Sequence, residues 1–253
     1  MTILEGRHAL VTGGGRGIGR AIAASLAGAG AAVTVLGRQE APLTDAVNAG
    51  DAKGYVLADV TDEAAVNAAV KQAVSERGPV DILIANAGAG ESTPFMKADA
   101  AQFRRMFDLN VMGVVHATRA VLGDMMKRGH GRIVVNSSVA GLKGYAYVTA
   151  YCAAKHAVVG FVRALAQETV KSGVTVNAVC PGYTDTDLVG AAIDFVTTKT
   201  GRSEEQAVAD MLKDKPIGRL ITPEEVASAV LYLCSPGASA VTGTTLTVAG
   251  GEI

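Results

Sequence analysis

The chain has no tryptophan, three cysteines and only 4% aromatic residues. Cys152, Cys180 and Cys234 are too few and too scattered for a disulfide framework or a zinc site. The four histidines, at 8, 116, 130 and 156, show no metal-ligand spacing, so no metal is expected. Neither sign of charge is in excess: 23 Lys plus Arg stand against 24 Asp plus Glu, a formal charge of −1. That balance excludes the basic field that nucleic acid or an acidic membrane surface would need. No apolar run approaches the roughly 18 residues of a spanning helix. Residues 1–7 lack the charged leader and apolar stretch of a secretory signal, so a soluble, cytoplasmic protein is expected.

What is present is 253 residues, 49% of them apolar, with 30 glycines. That suffices for one domain with a sizeable core. Short Val/Ile/Leu runs alternate with segments of helical period. The runs are 9–11, 32–36, 55–58, 80–85, 132–136, 174–179 and 244–248. The helical segments are 18–29, 63–75, 100–127, 150–170 and 223–234. Continuous apolar strands suit a sheet covered on both faces, and repeated strand–helix alternation predicts an α/β fold. The expected architecture is a single Rossmann-like, doubly wound parallel sheet with helices on both faces, spanning residues 1–253. No linker or internal repeat divides it. Residues 189–215 break the alternation and read as an insertion that covers a cleft.

The run Thr12-Gly-Gly-Gly-Arg-Gly-Ile-Gly19 lies where the first strand turns into the first helix. Glycines there let the backbone approach a pyrophosphate, whose charge the helix N-terminus favours. The missing Gly-Lys-Ser/Thr ending disfavours a nucleotide triphosphatase. A carboxylate at the end of the second strand would bind a ribose 2′-hydroxyl, whereas arginine suits a 2′-phosphate. Here Gly37 occupies that place and Arg38 follows, with Arg16 supplying a second positive charge. NADP is therefore the expected cofactor. Glu40, a nearby carboxylate, leaves NAD as the alternative.

Tyr151 and Lys155 are four residues apart on a helical segment, hence on one face. An ammonium beside a phenol favours the phenolate and lowers its pKa from about 10. Such a tyrosine can exchange a proton with a carbonyl oxygen while hydride moves at carbon. Asn136-Ser137-Ser138 ends a strand at the carboxyl edge, where doubly wound sheets bind ligands, and Asn86-Ala87-Gly88 ends another. Asn110 is a polar residue amid Leu109, Val111 and Met112, and it needs a hydrogen-bond partner if buried.

Taken in order, these pieces resemble the short-chain dehydrogenase/reductase family of about 250 residues. From Tyr151 onward the chain is also similar to 3-oxoacyl and polyketide ketoreductases. The resemblance implies that Tyr151 is the proton donor or acceptor and that Ser138 binds the substrate oxygen. Lys155 is implied to tune the tyrosine and hold the nicotinamide ribose, and Asn110 to keep a water for proton relay. Gly13, Gly15, Arg16, Gly17, Ile18 and Gly19 would cradle the pyrophosphate, with Gly37 and Arg38 at the adenosine ribose. Gly15 stands where Ser or Thr is common. Asp59 and Val60 are implied at the adenine, and Asn86, Ala87 and Gly88 beside the ribose and pyrophosphate. Pro181, Gly182, Thr184 and Thr186 would clamp the nicotinamide.

The implied activity interconverts a secondary alcohol and a ketone, such as a 3-oxoacyl thioester or a cyclic or aryl ketone. Two alternatives are an NAD-dependent dehydrogenase of a catabolic hydroxy compound and a non-catalytic NAD(P)-sensing protein. The second sits poorly with an intact Tyr151 and Lys155. Tyr145, Tyr147, Phe95 and Leu142 are candidate substrate-lining residues. Lys143 is a candidate for an acidic substrate group. The helical segments 103–126 and 151–170 carry more apolar surface than one buried stripe needs. With the family resemblance, this leads to a homotetramer as the expected assembly, without nucleic-acid or membrane partners.

Overall fold

The computed structural model describes residues 2–213 and 215–253, apart from the side chains at 188, 191, 192, 194, 195, 196 and 199. Of the expected insertion 189–215, Asp214 and the side chains at 191, 192, 194, 195, 196 and 199 thus lie outside the described residues. In chain order the elements are β1 (His8–Thr12), α1 (Gly17–Gly28), β2 (Ala32–Gly37), α2 (Glu40–Asn48), β3 (Gly54–Leu57), α3 (Glu63–Arg77) and β4 (Ile82–Ala85). Then follow α4 (Ala100–Phe107), a π-helical turn (Asp108–Met112), α5 (Gly113–Arg128), β5 (Gly131–Asn136), α6 (Thr149–Thr169) and β6 (Val174–Pro181). The chain continues through α7 (Asp187–Thr200), α8 (Glu204–Leu212), α9 (Pro223–Cys234) and β7 (Thr245–Val248).

All seven strands pair in parallel, in the order β3-β2-β1-β4-β5-β6-β7. Because side chains alternate across a strand, each run feeds two cores. Leu10, Leu83, Ile133 and Val176 point into one, with α3, α5 and α6 packed over them. Val11, Ile82, Ile84, Val134 and Val179 point into the other, under α1, α2 and α9. The strand order reverses between β1 and β4, so the carboxyl ends of these strands flank a crevice, the usual ligand position in such sheets.

Two elements differ from the sequence expectation. The helix α2 is short, and only Leu43 and Ala46 anchor it in the core. Pro42 is tolerated because it sits in the first turn, where no intrahelical N–H bond is lost. The long helix expected over 100–127 is two helices joined by the π turn. The extra residue rotates the buried face: Met106 packs with Ala150 and Ala154, whereas Val114, Ala117, Val121 and Met125 join the core over α3. The apolar positions of 103–126 thus form two stripes on different sides of the chain.

Candidate active site

At the end of β1, the Thr12 hydroxyl accepts hydrogen bonds from the backbone N–H groups of Asn86 and Ala87, both at 3.0 Å. Asn86 Nδ2 donates back to the Thr12 and Gly13 carbonyls at 3.0 and 3.3 Å. Asn136 Nδ2 donates to Asn86 Oδ1 at 2.8 Å, and Lys155 Nζ to the Asn136 carbonyl at 2.9 Å. One polar chain thus ties the glycine turn, β4, β5 and α6 together. Gly13 has φ +65°, and a Cβ at Gly19 would overlap the Gly13 carbonyl and approach Asn86 Nδ2 to 2.5 Å. The α1 N-terminus has no side-chain cap and no acidic residue in its first turn. Its free N–H groups and positive dipole end face the crevice. The turn closes this tightly only with glycine, and the bare backbone of Gly13, Gly15, Gly17 and Gly19 that lines the crevice fits a pyrophosphate.

At the end of β2, Gly37 lines the crevice and Arg38 reaches it with Arg16. Arg38 Nη1 lies 3.5 Å from Asp59 Oδ2, while Arg16 contacts Gln39 and lies 3.9 Å from Asp187. The N–H and hydroxyl of Thr61 bind Asp59 and hold its pKa low, with Arg38 adding a smaller push in the same direction. Glu40, the residue that kept NAD open, is turned away: the Tyr55 hydroxyl donates to it at 2.6 Å, and it does not line the crevice. Both cations, and no carboxylate from the β2 end, therefore face this part of the site.

Tyr151, Lys155 and Ser138 meet on the same crevice wall. Lys155 Nζ lies 5.6 Å from the centroid of the Tyr151 ring. Ser138 opens a short 3₁₀ turn, and its hydroxyl accepts the Ala140 N–H at 3.1 Å. The expected lowering of the phenol pKa does not occur in this state. Burial pushes Tyr151 up to about 12, although the neighbouring Ser138 hydroxyl acts in the opposite direction. Burial likewise pushes the Lys155 ammonium down to about 8. At neutral pH the phenol holds its proton, which is the form a general acid needs.

Asn110 sits in the π turn and is fully buried, so it stands behind the crevice wall. Its Nδ2 donates to the Ala89 and Met106 carbonyls at 2.9 and 3.0 Å. Its Oδ1 has no protein partner and lies 2.7 Å from where a Cβ at Gly88 would be. Gly88 is what keeps this acceptor open towards Lys155, whose Nζ is 3.5 Å from the same position. π turns recur at functional sites for this reason: one backbone carbonyl ladder is interrupted and a polar side chain is re-aimed.

The remaining expected cofactor residues, Gly15, Gly17, Ile18, Val60, Ala87, Pro181, Gly182, Thr184 and Thr186, all line the crevice. Thr186 precedes α7 without a side-chain capping bond, donates its hydroxyl to the Thr184 carbonyl at 3.2 Å, and lies against Gly17. The cavity measures about 1590 Å³, beyond the roughly 300–1,000 Å³ of a single small-molecule site. It has room for a dinucleotide and a second molecule.

At the substrate end, Tyr145 and Tyr147 line the crevice as expected. Phe95 and Leu142 do not: Phe95 is exposed, and Leu142 packs against the core. Lys143 is not held out for a substrate anion, because it pairs with Glu252 at 3.3 Å. Val189 and Met211, inside the expected covering insertion 189–215, also line the crevice, together with Tyr183 and Pro94, which sequence reasoning did not name. Tyr183 was within reach, lying between the expected clamp residues Gly182 and Thr184. Among the described residues no group of His, Cys, Asp or Glu could hold a metal ion.

Residues 7–196 match the short chain dehydrogenase family. The chain is 40% identical over 250 residues to the 3-oxoacyl-[acyl-carrier-protein] reductase FabG of Vibrio cholerae, covering 98% of each chain.

The chain belongs to the short-chain dehydrogenase family.

It is therefore an oxidoreductase that uses a nicotinamide dinucleotide. A putative ketoacyl reductase of Streptomyces coelicolor is 37% identical over 257 residues, covering 99% of this chain and 98% of the relative. Among solved structures, a variant actinorhodin polyketide ketoreductase with NADPH superposes with a TM-score of 0.93 at 37% identity, covering 97% of each chain. Levodione reductase superposes with a TM-score of 0.93 at 32% identity, covering 98% of each. The sheet order and the strand–helix alternation match this family's fold, as the sequence led one to expect.

Proposed function

We propose that this short-chain dehydrogenase is an NADP-dependent ketoreductase in which Tyr151 is the general acid. The observation that carries the reading is the meeting of Tyr151, Lys155 and Ser138 on one wall of the crevice that also holds the glycine cradle. Gly13–Gly19 and the α1 N-terminus hold the pyrophosphate, Arg16 and Arg38 the 2′-phosphate, and Lys155 the nicotinamide ribose. Pro181, Gly182, Thr184 and Thr186 hold the nicotinamide end. The bound cofactor supplies hydride to the carbonyl carbon. Ser138 donates a hydrogen bond that orients the carbonyl oxygen, and the Tyr151 hydroxyl gives that oxygen its proton. The phenolate left behind favours a charged Lys155, so the two groups titrate as a pair. Asn110 Oδ1 accepts from the group that returns the proton.

The lining of Tyr145, Tyr147, Tyr183, Val189, Met211 and Pro94 is aromatic and apolar, which suits a cyclic or aryl ketone or the chain of a 3-oxoacyl thioester. The names of the relatives, FabG and polyketide ketoreductase, support the same class. Val189 and Met211, on α7 and α8, support a role for 189–215 as cover for the substrate within a single domain. Family likeness supports a homotetramer and a cytoplasmic setting. No helix among the described residues is long and apolar enough to cross a membrane.

The test is Tyr151→Phe. Ketone reduction, followed as loss of NADPH absorbance, falls at least about 10²-fold while the NADPH dissociation constant stays unchanged. Wild-type turnover in that variant removes Tyr151 from the mechanism.

A further inference from the structure

Beyond the crevice wall formed by Tyr145 and Tyr183 lies a charged cluster that the proposed chemistry does not use. Its centre is Glu252, four residues past β7, whose side chain is only 2% exposed. One carboxylate oxygen accepts the Tyr145 hydroxyl and the Lys215 ammonium, with Lys143 Nζ at 3.3 Å. Lys143 Nζ also donates to the Glu252 backbone carbonyl at 3.0 Å. Lys215 stands between two aromatic faces, 5.2 Å from the Tyr145 ring centroid and 5.1 Å from that of Tyr183. Burial alone would raise the carboxyl pKa, but the Lys215 and Tyr145 hydrogen bonds outweigh it and hold Glu252 low. Burial, and then the Glu252 hydrogen bond, push the Tyr145 phenol up, and its proton is committed to the carboxylate rather than to the crevice.

Backbone geometry brings the carboxylate there. Gly250 and Gly251 have φ +57° and +85°, and a Cβ on Gly250 would overlap Ile217. Gly182 faces Ala249 and Glu252 Oε2, each at 3.2 Å from its Cβ position. The segment after β7 thus threads between the end of β6 and the 215–217 link, and reaches the back of the aromatic wall. Three segments distant in sequence, the 143–145 turn, the link after α8 and the post-β7 tail, converge on one carboxylate.

We propose that Glu252 is a positioning residue for substrate choice: through Lys215 and the Tyr145 hydroxyl it fixes the separation of Tyr145 and Tyr183, the aromatic walls that admit a cyclic or aryl ketone. The inference rests on the ketoreductase reading. A fixed slot favours a flat, rigid substrate, because a shape-matched wall helps only a ligand that fills it. A small open-chain ketone makes little contact with either ring and is insensitive to their spacing. Glu252→Gln keeps an acceptor for Tyr145 but leaves two ammonium groups without their counter-charge, and the rings lose their common anchor.

The experiment measures kcat/KM for 1-tetralone and for ethyl acetoacetate with NADPH, in the wild type, Glu252→Gln and Lys215→Met. In both variants the tetralone-to-acetoacetate ratio falls about tenfold, through KM for tetralone, while kcat for ethyl acetoacetate and the NADPH dissociation constant stay within about twofold. An unchanged ratio, or an equal loss on both ketones, overturns the proposal even where the melting temperature drops. If Glu252→Gln fails to fold, Lys215→Met carries the same comparison. A wild type that turns over neither ketone with NADPH overturns the ketoreductase reading itself, and this inference with it. Tyr151→Phe separates the two: it removes turnover of both ketones alike.

Discussion

Lys155 does not hydrogen-bond the Tyr151 phenol; its ammonium donates to the Asn136 carbonyl at 2.9 Å and stands 5.6 Å from the tyrosine ring centroid. A buried ammonium held by one neutral carbonyl is an unfavourable arrangement that function requires and stability does not.

Replacing that ammonium should therefore stabilise the protein without ligands. A pKa of about 8 against 10.5 corresponds to about 3 kcal/mol, from which about 1 kcal/mol is subtracted for the lost hydrogen bond. Lys155→Met should raise the melting midpoint by roughly 4–8 °C at pH 7 and abolish ketone reduction. A lower midpoint, read by circular dichroism, contradicts the assignment of strain to this residue.

The same shift sets a pH dependence. The folded lysine loses its proton near pH 8, whereas the unfolded lysine keeps it to 10.5. Within that window the unfolded state binds more protons, so this residue makes stability rise with pH. Activity moves the other way: kcat/KM for NADPH, which reports the free enzyme, should be level below pH 8 and decline above it. Tyr151→Phe should show the same decline in NADPH affinity, because Lys155 and not the phenol carries it. A decline that begins only near pH 10 would assign it elsewhere.

Cofactor choice should respond to Arg38. With Glu40 held by Tyr55, no carboxylate from the end of β2 competes for the ribose. Arg38→Leu should lower kcat/KM with NADPH by about 10–100-fold, the value of one charge-assisted contact, and leave NADH kinetics within twofold. Equal losses with both cofactors would show that Arg38 acts on the fold.

Gly19→Ala tests the cradle. The added methyl would overlap the Gly13 carbonyl, which is backbone, and crowd Asn86 Nδ2, which is held by its hydrogen bonds to the Thr12 and Gly13 carbonyls. NADPH binding, followed by its fluorescence, should weaken at least about tenfold. Unchanged affinity would mean that the turn relaxes freely.

The parallel sheet and the nucleotide wall were legible in the sequence, because both rest on local pattern: apolar runs of strand length, and glycines and polar residues at strand ends. The π turn was not, since the apolar spacing runs on through Leu109, Val111 and Met112 and nothing marks the extra residue. The direction of the Tyr151 shift was missed because a four-residue spacing reports a neighbour but not the desolvation around it. The helix α2 escaped because Leu43 and Ala46 are its whole buried face. Glu252 gave no signal at all: its partners are 37, 107 and 109 residues away in the chain.

The π turn at Asp108–Met112 has a consequence for how this enzyme can change. Deleting its surplus residue to straighten the helix would swing one half by about 100°. Either Met106 would leave Ala150 and Ala154, or Val114 and Val121 would leave the layer they share with Val66 and Val70. Two independent hydrophobic interfaces thus act as a ratchet on a single amide. Packing on either side of the turn fixes the direction in which Asn110 points.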